Sequence, residues 1–519
     1  MAYINIPSLK FTDLKFDFLL NNDANIEEEI FMSNSLNHYL SNIKQQIDEY
    51  SNYWDYYKKL TNPYEFIHTL VPEIKISICK YKPLSRSFFK MIEIINTFSF
   101  LTEKNSINSF HLAEGPGGFI EAFNYKRNNN KNDKYYGMTL ISDDINIPSW
   151  KKSSHFINNN PNVIIEYGST NTGDLFMKEN LLYCNDKYGN SMHYITADGG
   201  FDFSVDFNKQ EDLSMKLIIA QIFFAIIMQK TGGNFVLKIF DIFKFKTVEI
   251  IFLLSNLYEY VYIYKPYTSR VANSEKYVIC KNYKNNNRNI SKDIIDNFDY
   301  LLNNIDNIYS LFNITLPKLF LKKIEEINAI YGQQQIENIN TTLNFIREYI
   351  NIKHTNYNIL DTDNEYTIED NKHYKSSENN LLELSNIIIP IPIENYKDTE
   401  IVNDLFKLDS NNTSYCSPIL NPETKFSYLK NDISFVLNSK LSNYSLSDDS
   451  DNDNDNDNEN KTYSNNNEEE ILYNAKLSNL SNYEKFNNKI NVLKNINIQK
   501  SVNWCNKYNF SINKHFLNT

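Results

Sequence analysis

"HLAEGPGGFIEAF", residues 111–123, places Gly115, Gly117 and Gly118 around Pro116 in a chain that has only 12 glycines among 519 residues. Eight more glycines lie between Gly137 and Gly233, and only Gly332 falls outside this stretch. Glycine serves where backbone takes positive φ or approaches another group closely, and elsewhere it costs chain entropy. The special backbone geometry of this protein is therefore concentrated in one segment. Within it, "INSFHLAEG" reads as a strand ending near Ala113, the glycines as a turn, and a helix begins near Phe119.

A turn of this kind lets backbone N–H groups and a helix N-terminus meet a ligand beyond the carboxyl end of the strand. Dinucleotides and S-adenosylmethionine are the ligand classes that use it. The dinucleotide pattern G-x-G-x-x-G is not met by G-P-G-G, and no Gly-Lys-Ser/Thr follows to make a P-loop. A tight turn with no ligand accounts for the same four residues, so the loop alone does not decide.

Working outward, "KYYGMTLIS", "NVIIEYG", "HYITADGG", "NFVLKIF", "YVYIYKP" and "KYVICK" read as further strands, with helices over 212–230 and 245–257. Strands alternating with helices argue an α/β domain with a mostly parallel sheet over 81–285. Only "YTSRVANSE" separates the last two strands, too little for a helical crossover, so they form an antiparallel hairpin at the sheet edge. Residues 1–80 carry apolar residues at helical spacing, among them Ile30, Phe31, Leu36, Leu40 and Ile43, and read as a helical N-terminal region. Residues 286–355 read as a helical extension. Residues 356–470, with "SDDSDNDNDNDNENK" at 447–461, read as a disordered acidic linker, and 471–519 as a C-terminal tail.

Composition narrows the class. The net charge is −12, yet Lys and Arg slightly outnumber Asp and Glu over 81–285, so the acidity sits outside the glycine-bearing segment and does not exclude a nucleic-acid partner there. The start has no basic-plus-apolar leader, and the longest apolar run, "LIIAQIFFAIIMQ" at 217–229, is too short to span a bilayer. An intracellular, non-secreted protein without a membrane partner is the expectation. The five scattered cysteines show neither CxxC spacing nor a disulfide framework, and no metal site is expected. Abundant Asn, Ile, Lys and Tyr point to an AT-rich genome, such as that of a large DNA virus or a low-GC protist.

Four polar residues fall where such a sheet delivers chemistry. Asp198 ends the strand "HYITAD", Lys238 interrupts the buried alternation of "NFVLKIF", Glu275 enters the last strand, and Lys90 lies on a helix ahead of the glycine loop. Each has an ordinary explanation as a cap, an edge-strand cation or a surface charge. Together around a methyl donor they suit transfer to a ribose 2′-hydroxyl, which needs an oriented hydroxyl relieved of its proton. Lys238, with its pKa lowered by burial and a neighbouring cation, is the expected base.

At these residues the chain resembles the FtsJ-like (RrmJ-type) ribose 2′-O-methyltransferases, and within them the mRNA cap 2′-O-methyltransferases, including the Adrift-type cap-2 branch. The resemblance covers about 80–285 and rests on "HLAEGPGGFIEAF", "YYGMTL", "NTGDL", "TADGGFD", "TGGNFVLKIFDIF" and "KPYTSRVANSEKYVICK" in order. It implies a Rossmann-like seven-stranded methyltransferase fold and a catalytic Lys90-Asp198-Lys238-Glu275 tetrad. It implies S-adenosylmethionine as cofactor, held by Gly115, Pro116, Gly117, Gly118, Phe119, the backbone near Thr139, Asp174 and Asp198. "YYGMTL" and "TSRVANSE" are similar to the cap-1 branch and "NTGDL" and "FVLKIF" to the cap-2 branch, which leaves the modified nucleotide open.

A capped mRNA 5′ end is the implied partner, with other capping or transcription components, in the nucleus or cytoplasm, or in a viral factory or virion if the genome is viral. Lys244, Lys246, Lys265 and Arg270 are candidates for RNA phosphates. Aromatic residues of the N-terminal region and of "DIFKFK" at 241–246 are candidates for stacking on the cap base. Two other readings stay open: a ribosomal or transfer RNA 2′-O-methyltransferase, and a non-catalytic RNA-binding subunit of a capping complex.

Overall fold

The computed structural model describes residues 3–7, 14–21, 30–102, 105–142, 144, 148–200, 207–284, 290–361 and 466–517. The chain divides into two compact units, Met1–Leu360 with Tyr473–Thr519, and Asp361–Leu472. The first contains everything discussed below. Most of the expected acidic linker, including 447–461, lies outside the described residues.

All seven expected strand segments form strands. They are β3 (Asn108–Leu112), β4 (Lys134–Met138), β5 (Val163–Ile165), β6 (Met192–Ala197), β7 (Gln229–Ile239), β8 (Tyr258–Tyr264) and β9 (Lys276–Tyr283), preceded by β1 (Ile4–Ile6) and β2 (Leu19–Leu20). The main sheet runs β1-β8-β9-β7-β6-β3-β4-β5. From β5 to β7 every pairing is parallel, whereas β9 is antiparallel to both β7 and β8.

Two features differ from the sequence expectation. Among the described residues the main sheet has eight strands rather than seven, and the β8–β9 hairpin is not the sheet edge. The reason is edge protection: β8 would present a row of unpaired N–H and C=O groups, and β1 covers it antiparallel, with Ile4 opposite Ile263 and Ile6 opposite Val261. The N-terminal segment thus supplies a strand before its helices α1 (Asn34–Glu49) and α2 (Ser51–Thr61). On α1, Lys44 Nζ bonds Asp241 Oδ2 at 3.0 Å in the interior, which pins that helix to the loop after β7.

Strand alternation sorts side chains onto two faces. Phe110, Leu112, Phe235, Leu237, Ile239, Val278 and Cys280 enter one core, against α6 (Lys178–Tyr188), α7 (Gln210–Met228), α8 (Phe245–Leu257), α9 (Ile290–Asn304) and α10 (Lys318–Asp361). Tyr194, Val236, Tyr277 and Ile279 face the other, against α3 (Ser87–Thr97), α4 (Gly118–Lys126) and α11 (Asn466–Lys507); α5 (Ser154–Asn159) leads into β5. Helix α7 contains the long apolar run and is buried on nearly every side, including Ile219, Ile222, Phe224 and Ile227. At roughly 1.5–3 kcal/mol per buried large apolar side chain, its position between β7 and α9 is a main stabiliser of the fold. Among the described residues no helix is long and apolar enough to cross a membrane.

The segment read as a C-terminal tail, 471–519, packs into the second core. Trp504, Cys505, Phe510 and Phe516 are buried in the second core, and Lys80 N–H donates to the Ser511 carbonyl while Asn513 N–H donates to that of Ile78. Aromatic residues spaced Trp504, Tyr508, Phe510 bury too much apolar area to stay in water.

Candidate active site

The glycine loop leaves β3 through Ala113 (φ 52°) and turns at Gly117 (φ 105°), the N-cap of α4. A side chain at Gly118 would lie 2.2 Å from the hydroxyls of Ser85 and Ser87, and one at Gly115 2.9 Å from the Pro148 carbonyl. Close packing on both sides therefore excludes anything larger than glycine. Glu114, not singled out from the sequence, accepts N–H bonds from Phe119 at 2.6 Å and Ile120 at 3.3 Å, capping the first turn of α4. Burial pushes its carboxyl well above the usual range, and the nearby Asp198 adds to this.

Phe119 consequently differs from its expected role. Its ring is wholly buried, 6.1 Å from the Tyr277 ring, and its N–H is spent on Glu114, so it supports the loop from behind. Thr139 and Asp174 do come together. The turn at Gly173 (φ 64°) sits so tightly on the Thr139 carbonyl that a Cβ there would be 2.0 Å from it, and Ile141 N–H donates to Thr172. Asp174 accepts from Phe176 N–H at 2.8 Å. Beside it, Leu140 and Ile141 remain 38% and 50% exposed. The Thr139–Ile141 segment and the turn at Gly173 thus lie together at the carboxyl end of β4.

The four tetrad residues arrive from four elements and meet on one face of the sheet. Lys90 on α3 pairs with Glu275 at 2.6 Å, both nearly withdrawn from solvent. Lys238 on β7 donates to the Asp198 carbonyl at 2.6 Å and lies 3.4 Å from its carboxylate. Tyr277 links the two pairs, its hydroxyl 2.8 Å from Asp198 Oδ1 and 3.4 Å from Glu275 Oε1. Register explains the grouping: Tyr277 stands opposite Lys238, and Glu275 and Tyr277, two residues apart, share a face. Lys276 points the other way, its Nζ bonded to the Ser274 carbonyl and 3.9 Å from Asp241.

Electrostatics follow from burial and pairing. Burial alone would raise the Glu275 carboxyl, but Lys90, Lys238 and Arg86 outweigh it and hold it well below the usual carboxylate range. Burial lowers Lys90, with Glu275 and Asp198 opposing. Tyr277 is pushed well above the usual phenol by burial and by the two carboxylates, so it remains a neutral donor. Its place two residues after Glu275 was the signal that the sequence reading missed.

The expected RNA contacts are less favoured. Lys265 is buried, with Nζ bonded to Asn273 and the Glu275 carbonyl, so the expectation that it meets phosphate is corrected to a loop-holding role. Arg270 forms a two-bond pair with Glu65 at 2.6 and 3.0 Å, Lys246 donates to the Ile305 carbonyl, and Lys244 lies 3.5 Å from Asp212. In "DIFKFK", Phe243 is buried and Phe245 packs between Phe31 and Tyr309, because the apolar side chains of this loop complete the core beneath α8 rather than face a base.

A glycine loop after the first parallel strand, carboxylates at the ends of neighbouring strands and an antiparallel β9 beside β7 make a Rossmann-like fold of the kind found in S-adenosylmethionine-dependent methyltransferases. Residues 83–283 match the family model of the FtsJ-like methyltransferases. The cap-specific mRNA (nucleoside-2′-O-)-methyltransferase 2 of Danio rerio is 29% identical over 60% of this chain and 42% of its own length. The cap-specific mRNA (nucleoside-2′-O-)-methyltransferase 1 of Mus musculus is 32% identical over 44% and 28%. An inactive cap-specific mRNA (nucleoside-2′-O-)-methyltransferase 1B of Caenorhabditis briggsae is 30% identical over 44% and 28%. The chain thus spans less than half the length of these curated relatives, and none of them bears on its genome of origin.

Proposed function

We propose that the protein methylates a ribose 2′-hydroxyl of RNA, and that its substrate is the capped 5′ end of mRNA, at the first or second transcribed nucleotide. The observation that carries this reading is the Tyr277-linked arrangement of Lys90–Glu275 and Lys238–Asp198 beside the glycine loop. Similarity to cap-specific relatives supports the choice of capped RNA.

When bound, S-adenosylmethionine supplies an electrophilic methyl group. The side chains do the rest. Lys238 Nζ, held by the Asp198 carbonyl, meets the 2′-hydroxyl and takes its proton, and the Asp198 carboxylate 3.4 Å away balances the ammonium that results. Asp198 fixes that amine from one side, and Tyr277 fixes Asp198. The Lys90–Glu275 pair sets the local field, while its burial keeps water from competing for the hydroxyl. A capped-RNA substrate places the protein in the nucleus or cytoplasm.

Transfer of labelled methyl to short capped and uncapped RNAs, followed by nuclease mapping, tests the proposal. Label confined to the first or second ribose of capped RNA is the expected result. Equal label on uncapped RNA indicates a structural-RNA enzyme, and donor binding without transfer indicates a non-catalytic subunit.

A further inference from the structure

Glu93 lies one turn beyond Lys90 on α3 and is wholly buried. Its carboxylate collects four donors. Oε2 accepts from Tyr267 N–H at 2.7 Å and the Tyr264 hydroxyl at 3.1 Å. Oε1 accepts from Thr268 N–H at 2.8 Å and Trp504 Nε1 at 3.0 Å. Two consecutive backbone donors come from the loop between β8 and β9, and the fourth donor comes from the C-terminal helix α11.

That loop is the one that delivers Glu275. Ser269, next after Thr268, donates to Glu275 Oε1 at 3.0 Å, and Lys265 Nζ holds the Glu275 carbonyl at 2.9 Å. Helix α3 therefore grips the loop twice, through Glu93 at its start and through the Lys90–Glu275 pair at its end. An uncompensated buried carboxylate is costly, so it holds its donors firmly. Trp504 is itself fixed by packing on Phe89 at 5.5 Å and Phe510 at 5.7 Å.

We propose that Trp504 is a positioning residue for the tetrad, acting through Glu93 on the loop that places Glu275, so that the C-terminal segment is part of the catalytic apparatus. Trp504 lies well beyond the family-matched residues 83–283. It touches no tetrad side chain; it satisfies the carboxylate oxygen that also takes Thr268 N–H. With that donor lost, Glu93 Oε1 depends on Thr268 of the loop, and the loop shifts to compensate. The inference rests on the function proposed above.

Trp504→Phe in the full chain keeps the aromatic packing and removes the N–H. Phe298→Leu loosens the first core, where its ring lies buried near Phe223, without touching Glu93 or Trp504. Both variants and the unmodified chain are assayed for kcat and KM on capped RNA, with the folded fraction fixed by S-adenosylhomocysteine binding stoichiometry and stability by Tm. The expected result is a kcat about tenfold lower for Trp504→Phe, with KM for S-adenosylmethionine unchanged, and a normal kcat for Phe298→Leu despite a lowered Tm. A kcat within twofold of normal for Trp504→Phe, or an equal loss in Phe298→Leu, overturns the inference alone. Absence of transfer to any RNA by the unmodified chain overturns the proposed function and this inference with it.

Discussion

Lys90 Nζ and Glu275 Oε1 are ion-paired at 2.6 Å with side chains only 7% and 11% exposed. Removing one member leaves the other charged in the interior, which costs about 3–5 kcal/mol. Lys90→Ala is therefore expected to lower stability markedly and abolish transfer, with chemical denaturation and methyl transfer as the two readouts. The double variant Lys90→Met with Glu275→Leu should recover stability but not activity.

Lys238 predicts the opposite balance. Asp198 retains its bond from the Tyr277 hydroxyl when Lys238 is gone. Lys238→Ala should reduce single-turnover transfer by at least about 100-fold while Tm and S-adenosylmethionine affinity change little. Near-normal turnover would remove Lys238 as the group that takes the proton.

Tyr277→Phe deletes one hydroxyl that joins Asp198 to Glu275. Loss of a hydrogen bond to a charged group costs about 1.5–3 kcal/mol. If that loss falls on the transition state, kcat drops by about 10- to 100-fold; a change confined to KM for RNA would show that the hydroxyl positions the substrate instead.

Gly173→Ala tests the nucleoside side of the site. Its φ of 64° disfavours any side chain, and the Cβ would lie 2.0 Å from the Thr139 carbonyl. The strain must move either Thr139 or Asp174, so S-adenosylmethionine affinity should fall at least about tenfold, the equivalent of 1.4 kcal/mol, as measured by calorimetry. Unchanged affinity would place the donor away from this turn.

Two buried carboxyls set a pH dependence of stability. Glu211 accepts from Phe243 and Lys244 N–H and the Thr247 hydroxyl, and Glu249 from the Ser310 hydroxyl and Leu311 N–H. Burial pushes each up to about 7 from the usual 4.5, against the lowering effect of those bonds. The folded state thus binds more protons than the unfolded state between these values, and their favourable contribution is present below about pH 4.5 and lost as pH rises through 7. In denaturation, relative to Glu249→Gln, the unmodified chain should lose about 2 kcal/mol of stability from pH 5.5 to 8, a difference in which the opposite effect of the buried His68 and His111 cancels. A difference between the two chains that stays flat over that range contradicts the assignment.

What was legible in the sequence had a local cause. The strand and helix segments follow from apolar periodicity, and the glycine loop from a backbone requirement that no other residue meets at Gly117. The strand ends that carry Asp198 and Glu275, and the lysine within the apolar alternation of β7, are likewise features of short windows. Tertiary structure alone decided the rest. That β1 protects the edge of β8 depends on a pairing between residues more than 250 positions apart. That Lys265 and Arg270 are spent on Asn273, Glu275 and Glu65, rather than left for RNA, depends on which partners folding brings beside them. The C-terminal segment reads as a weakly patterned tail because its aromatic residues acquire a face only when α3 presents Phe89 and Glu93 to them. Local pattern determines which segments can be strands and helices; burial of distant charges and aromatic rings determines which of their side chains remain available for chemistry.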